Sequence, residues 1–560
     1  MGKQRRGASM ISRLTSGARS RQGRRGSAWG KIGLGALGGL GLLAQPGWAL
    51  LTSVGAEGID ARRLHGAPYH LTGEKIAIGQ VEIGRPGQFG LDKRTLMNSP
   101  VAVWRVLQLD RWATANEFVD GHAANVASVM ISQDKTLTGV APEALLYAGA
   151  VGSMDNSRSA QPEQCVVSQA VAEQNGGDVR ALNYSFGEPL SRDPRANPVL
   201  DGNALLTQCI DWLSRRHGAL YVIAGNQGRG GIPIPTDNFN GLNIAYSRRD
   251  VNGRFTRLDP ANLGSEPTVR SPRSPNPETN VGARRSISLV APGSEIEMFD
   301  PDGRQRISSG TSFAAPHVVG TIALMQQLVD RQIRAGLDNW SVNGRHPMVM
   351  KAALLNSTDK LEDSGDGLRL GMARTLVDNN NRPWTDSDAY RDPKIPLHRD
   401  LGTGHLNAYR AYQQLLPGSF GPGDRIPTVG WNLGEVDQAN AQAHDYVFAE
   451  LLQGGSYLSA TLAWERVVDL VDSNRNGRYD LGESFQDRGL NDLDLYLLPA
   501  DSDDLSASLW SSESDVDSVE HLFYQIPETG YYKLRVVYQR QVHAQPAQPY
   551  GLAWWAVPAP

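Results

Sequence analysis

A parallel central sheet covered by helices, followed by an antiparallel β-sandwich, is the α/β architecture predicted by this sequence of 560 residues. Two observations carry that expectation. Between residues 75 and 330 short apolar runs alternate with stretches of helical periodicity, the pattern of strands buried on both faces by crossover helices. Beyond residue 425 the runs are short, partly alternating, rich in aromatics and separated by turn residues, as in a sandwich of about 130 residues.

In chain order, residues 1–49 come first. They hold nine Lys or Arg and no Asp or Glu; the basic run closes at Arg24, Arg25 and Lys31. An uncharged Gly/Leu-rich stretch follows over 32–44, then Gly47-Trp48-Ala49 at a cleavage-like position. At 13 residues the apolar stretch is too short to span a hydrocarbon core of ~30 Å. The three parts read as an export signal and predict a secreted or periplasmic protein. No later apolar run reaches 18 residues, so no transmembrane segment is expected. Buried strands are predicted at 76–81, 144–150, 179–185, 219–224, 242–245 and 287–290. Helices are predicted at 122–131, 162–174, 203–216, 312–329, 348–357 and 407–416. Pro162 suits a first helical turn, where its missing N–H costs nothing. A Gly/Pro-rich stretch at 417–425 reads as a linker between a domain at 50–416 and the sandwich at 426–560. Cys165 and Cys209 fall in two helices flanking one strand. Export permits a disulfide between them, which spacing alone leaves open.

Charge narrows the partners. Residues 50–420 carry 38 acidic and 38 basic residues, whereas 421–560 carry 21 acidic and 8 basic. Nucleic acid is therefore not an expected partner, since its phosphates would meet no positive field. The acidic tail favours cations.

Three segments carry the chemistry. Ser308–His317 reads SSGTSFAAPH. Gly310 allows a tight turn and Ser312 opens a helix, so its oxygen sits beside free N–H groups at a positive helix end, where a nucleophile becoming an oxyanion is stabilised. The second, DGHAANVA, places His122 before small residues suited to a helix pressed on a sheet. The third is the strand ending in Glu82, a carboxylate at the C-terminal end of a parallel strand. Taken alone, each has a plain structural explanation: a helix cap, a core histidine, an acidic loop residue. Together they run acid, His, Ser, the chain order of one of the three known Ser-His-acid arrangements.

With these residues and the GTSFAAPHVVG segment in view, the chain resembles the subtilisin-like serine peptidases, or subtilases. Further similarity falls in order over residues 56–415: LTGVAPEALLYAGAVG, NYSFG, Ala224-Gly225-Asn226, Ala291-Pro292-Gly293 and GTGHLNAYRA. The resemblance implies a subtilisin-like three-layer fold and an endopeptidase. In it Ser312 attacks the scissile carbonyl, His122 relays the proton and Glu82 stands where the family has Asp. It implies that Asn226 joins the Ser312 N–H in holding the oxyanion. It also implies that Asn183, Ser185, Phe186, Gly187, Ala224 and Gly225 bind an extended protein or peptide substrate. Two departures stand out: Glu82 adds one methylene, and HAAN replaces the usual HGT after the histidine. They keep open an alternative, a subtilisin-like scaffold with little catalysis that acts as a protein-binding module.

In the tail, Asp472–Glu483 places oxygen side chains at loop positions 1, 3, 5, 9 and 12 (Asp472, Asn474, Asn476, Asp480, Glu483), glycine at position 6 and the Arg478 carbonyl at position 7. This is EF-hand-type spacing and predicts a structural Ca2+ site on a β-domain. Asp492 and Asp494 read either as a second acidic cluster or as outward-facing strand residues. The sandwich resembles those appended to many secreted peptidases, and cell-surface or carbohydrate contact is a possible role for it.

Overall fold

The computed structural model describes residues 50–152, 161–225, 233–258 and 284–560. The export signal at 1–49 and Asn226 lie outside the described residues. Two short helices, α1 (Leu50–Val54) and α2 (Arg62–His65), precede a central sheet. Its strands are β1 (Ala77–Glu82), β2 (Arg105–Gln108), β3 (Arg111–Trp112), β4 (Leu145–Ala150), β5 (Val179–Tyr184), β6 (Leu220–Ala224), β7 (Leu242–Arg249), β8 (Phe255–Leu258), β9 (Leu289–Pro292) and β12 (Leu376–Val377). The spatial order is β12-β8-β7-β6-β5-β1-β4-β2-β3, with β9 against β7. All pairs are parallel except β2/β3 and β7/β8. A separate antiparallel hairpin joins β10 (Ile296–Phe299) to β11 (Gln305–Ser308).

Every residue of β1 is buried, because helices cover both faces. On one face lie α3 (Gly121–Ile131) and the 24-residue α7 (Thr311–Arg334), sharing a core with Ile76 and Ile78. On the other lie α4 (Gln161–Ala172) and α6 (Leu205–His217), sharing a core with Ala77 and Val81; the one-turn α5 (Gln174–Gly177) follows α4. Alternate residues of β1 thus serve opposite layers. Gly79 and Gly149 let α4 come close: a Cβ at either would sit 2.6–2.7 Å from the Val167 or Val171 side chains. Cys165 on α4 and Cys209 on α6 form a disulfide, with Cα atoms 5.9 Å apart.

Helices α8 (Pro347–Asn356) and α9 (Ala408–Leu415) support the sandwich. One sheet has the order β13-β15-β22-β19-β20: β13 (Arg425–Ile426), β15 (Ala443–Phe448), β22 (Tyr532–Arg540), β19 (Asp492–Pro499) and β20 (Trp510–Ser512). The other has the order β14-β23-β16-β21: β14 (Val429–Asp437), β23 (Ala547–Trp555), β16 (Tyr457–Trp464) and β21 (Val519–Gln525). A hairpin of β17 (Val467–Val471) and β18 (Ser484–Gly489) projects from it.

The stretch at 417–425 is pinned rather than a free tether: Ser419 N–H donates to Asn339 O (2.8 Å) and Phe420 N–H to Trp431 O (3.0 Å). Gln414 on α9 donates to the carbonyls of Gly430 and Trp554, and Trp431 donates back to Leu415 O. A buried ion pair, Arg466 to Asp211 on α6 at 2.6 Å, adds a second joint. Asp492 and Asp494 alternate with Leu493 and Leu495 of the sandwich core, on a face of β19 that is nonetheless covered. Both are buried in β19, and Asp494 accepts from the Tyr496 hydroxyl at 3.1 Å. Burial and the neighbouring Asp492 charge push the Asp494 carboxyl up to about 7. Among the described residues no helix is long and apolar enough to cross a membrane.

Candidate active site

Glu82, His122 and Ser312 meet at one cleft of about 560 Å³, although 230 residues separate the first from the last. Each arrives by a different local device. Glu82 is the last residue of β1, held in register on both sides (Glu82 opposite Ala150, Val81 opposite Tyr184). His122 is the second residue of α3. Asp120 caps that helix by accepting from Ala123 N–H at 3.0 Å, so Asp120 does not orient the imidazole. Gln80 reaches from β1 to the Ala123 carbonyl (2.9 Å), tying the strand of Glu82 to the helix of His122. Asn125 holds the β10–β11 hairpin through Phe299 O and Asp300.

Ser312 is the second residue of α7, whose N-terminal cap is Gly310 with a φ of 154°, open to glycine and strained for other residues. Gly310 offers no side-chain cap, Phe313 N–H donates back to Gly310 O at 3.1 Å, and Ser312 stands at the positive helix end. Pro316 shapes the same turn. It has no N–H to give the carbonyl four residues earlier, which is that of Ser312. Ser185 fills the gap: its hydroxyl donates to Ser312 O at 2.9 Å. The Ser312 hydroxyl in turn donates to Ser185 O at 3.1 Å. Beneath them, buried Asn183 donates from Nδ2 to Ser185 Oγ at 2.8 Å.

The electrostatics are those of a buried acid beside a half-exposed base. His122 Nδ1 faces Glu82 Oε2 at 3.4 Å, longer than a usual N–H···O bond, with the imidazole 41% exposed and the carboxylate 3%. Glu82 Oε1 is buried with no hydrogen-bond partner. Burial pushes the Glu82 carboxyl above its ordinary value against the pull of His122. Burial by itself would lower the His122 ring; the charge and hydrogen bond of Glu82, aided by Asp120, outweigh it and hold the imidazole above its ordinary value. His317, five residues after Ser312, is structural: it is buried, contacting Phe313 O through Nδ1 and Ser53 Oγ through Nε2.

The sequence-assigned substrate residues divide. Ser185 and Phe186 line the cleft. Asn183 lies below it, and β5 is paired on both sides through Tyr184, so only backbone beyond Tyr184 is open to an added strand. Gly187 is not on the cleft wall. Ala224 ends β6, and Gly225 spends its N–H on Ile244 O. Sequence reasoning missed other wall residues: Ile83, Gly84, Phe118, Val119 and Gly152. Phe118 and Val119 sit just before the His122 segment, a position that could have been followed.

The 472–483 segment is the loop of the β17–β18 hairpin, without flanking helices. Its donors turn inward. Asn474 and Asn476 both donate to Asp480 Oδ2 at 2.7 Å, Asp472 accepts from Gly477 N–H at 2.7 Å, and Glu483 accepts from Ser473 and Asp480 N–H. Among the described residues no three His, Cys, Asp or Glu side chains group to hold a metal, so such a site would draw on the two asparagines and the Arg478 carbonyl.

A sequence profile of the subtilase family matches residues 105–373, a span that holds His122, Ser185 and Ser312 but not Glu82. M-protease of Shouchella clausii is 24% identical over 244 residues, 42% of this chain and 54% of that protein. Subtilisin Savinase of Lederbergia lenta is 24% identical over 210 residues, 37% of this chain and 64% of that protein. The chain therefore spans between about half and just under two thirds of these relatives. Among solved structures, the prenylagaramide maturation protease PagA is similar with a TM-score of 0.41 and 20% identity, over 64% of this chain and 99% of that one. Over residues 105–373, just under half of the chain, the sequence thus matches the subtilase family, and the serine and histidine segments of that span converge on a mostly parallel sheet.

Proposed function

We propose that the chain is an exported serine endopeptidase. The observation that carries this reading is the convergence of Ser312, His122 and Glu82 on one cleft, with His122 Nδ1 turned to the carboxylate and its Nε2 left for the nucleophile. Ser312 Oγ adds to the scissile carbonyl as its proton passes to His122 Nε2. The resulting oxyanion meets the N–H groups at the start of α7 and Asn226. His122 then protonates the leaving amine, and water, deprotonated by the same imidazole, releases the acyl group and restores Ser312. The Ser312 hydroxyl bonds to Ser185 O in the resting site; catalytic hydrogen bonds often align only when substrate is bound. Backbone beyond Tyr184 pairs with an extended peptide, and Phe186 supplies an apolar wall.

The EF-hand-like loop holds Ca2+ through Asp472, Asn474, Asn476, Asp480, Glu483 and the Arg478 carbonyl, a hard-oxygen set suited to that ion. Its chemistry is structural. Export fits the Cys165–Cys209 disulfide, which persists in oxidising compartments.

One arrangement favours the second reading, a protein-binding scaffold with little turnover: the Glu82–His122 contact is long and Glu82 Oε1 is orphaned. Incubation with an unfolded protein and mass-spectrometric mapping of new termini separates the two. New internal cleavages that vanish in Ser312→Ala support the peptidase. Retained binding of that protein without cleavage supports the scaffold.

A further inference from the structure

The hairpin that projects from the sandwich ends on the helix behind the substrate cleft. Tyr479, in its loop, is only 1% exposed and belongs to the core shared by α4, α6, Tyr184 and Phe186. Its ring stacks on Phe485 of β18 (5.2 Å between centroids), and Phe485 meets Trp212 of α6 at 5.6 Å. Both backbone groups of Tyr479 are taken by one side chain of α4: Gln169 Oε1 accepts from Tyr479 N–H at 2.7 Å, and Gln169 Nε2 donates to Tyr479 O at 3.3 Å. Arg478 pairs with Glu173 at 2.8 Å. Four residues before Gln169, Cys165 ties the same helix to α6.

Neighbouring residues of α4 grip the cleft wall. Ser168 meets the Tyr184 hydroxyl at 3.3 Å, and Gln164 donates to Glu188 at 2.6 Å. These two contacts bracket residues 185–187. Tyr184 stacks on Phe186, with centroids 4.5 Å apart, and Phe186 faces the cleft. A continuous set of packed and hydrogen-bonded groups thus runs from the accessory domain through one helix to the segment that would receive substrate.

We propose that Tyr479 is a positioning residue for substrate binding: the sandwich, through Tyr479 and Gln169, fixes α4 and with it the Ser185–Phe186 wall. This rests on the peptidase reading of the cleft. The lever acts first on peptide binding, because Ser312 and His122 stand on α7 and α3, across the sheet from α4, and it reaches Ser312 only through the two Ser185 hydrogen bonds.

The test uses the full chain with Tyr479→Ala, Gln169→Ala and Tyr479→Phe. Three quantities are read: KM for a peptide spanning several residues, the rate of Ser312 labelling by a small fluorophosphonate, and deuterium uptake at residues 185–188. Couplings of this kind correspond to roughly 2- to 30-fold. Both alanine variants are expected to raise KM by that order and to increase uptake at 185–188, with the labelling rate falling by clearly less than peptide cleavage. Tyr479→Phe is expected to behave as the parent, since the Tyr479 hydroxyl is buried without a partner and only the ring and backbone act. Unchanged KM and uptake in a folded Tyr479→Ala protein would overturn the proposal, as would equal loss of labelling and peptide cleavage. If Tyr479→Ala does not fold, Gln169→Ala decides by the same criteria. If the parent cleaves no peptide, the peptidase reading fails, and exchange at 185–188 still decides whether Tyr479 positions the wall.

Discussion

Ser185 and Ser312 hold each other by two reciprocal hydrogen bonds, hydroxyl to carbonyl in each direction, at 2.9 and 3.1 Å. One of the two exists because Pro316 withholds the N–H that would otherwise claim the Ser312 carbonyl. The first turn of α7 is therefore anchored to Ser185, the residue that follows β5. Ser185→Ala removes the side-chain partner of that half-buried carbonyl, which costs ~1 kcal/mol. Pro316→Ala restores an intrahelical donor. Urea unfolding of the two single variants and the double variant should show the second change recovering part of the loss from the first. Strict additivity of the two effects would refute the link.

The His122 imidazole is held above its ordinary value by Glu82, so the free base needed for catalysis is reached only at higher pH. The acid limb of kcat/KM is expected above the usual histidine value of about 6.5. Glu82→Gln removes the charge, moves that limb downward and lowers kcat by up to ~10⁴ through the wrong tautomer. The linkage has the matching sign. A raised histidine contributes stability below its unfolded value, and the contribution is lost as pH rises through the folded one. An acid limb that does not move in Glu82→Gln would show that Glu82 does not set the base.

Glu82→Asp shortens the side chain by about one C–C bond, ~1.5 Å. β1 is paired on both sides and cannot follow. A loss of ~10²-fold in kcat/KM is expected. Equal or higher activity would mean that the extra methylene is not part of the working geometry.

Calcium should raise the melting temperature, with ~2.7 kcal/mol of added stability at a concentration 100 times Kd. Asp472→Ala and Glu483→Gln should each remove the effect. A melting temperature indifferent to calcium and chelator in the parent would rule out a structural ion in this loop.

The Cys165–Cys209 bridge closes a 44-residue separation, worth about 4 kcal/mol in the chain-entropy picture. Calorimetry of a Cys165→Ala/Cys209→Ala protein should show a loss of that order. Loss of less than a tenth of it would mean that α4 and α6 are held by packing alone.

The parallel strands were legible because burial on both faces makes them continuous apolar runs, as in AIGQVE and LYVIA, and the serine segment because its turn and helix start are dense with small residues. β11 was not legible. Its four residues are all exposed and carry no pattern to read. β18, SFQDRG, is equally polar and is held as a strand by its partner β17 and by Phe485 packing on α6. Asp494 is buried on the β19 face away from the sandwich core, beside the Tyr496 hydroxyl, a cover that strand alternation cannot show. At the site, the three side chains that meet at the cleft could be named from motif order. Their supports, Gln80, Asn183 and the Ser185 carbonyl, act through backbone atoms and register, which one-dimensional spacing does not encode. The linker read at 417–425 is fastened by hydrogen bonds to Asn339 and Trp431, which composition does not encode.

The most direct measurement is reaction of the purified protein with a fluorophosphonate, with the adduct located by mass spectrometry and Ser312→Ala as control. An adduct on Ser312 alone, absent from the control and slowed in Glu82→Gln, is the result expected of an activated nucleophile in an assembled site. A folded protein that forms no adduct, with or without calcium, would contradict the peptidase assignment.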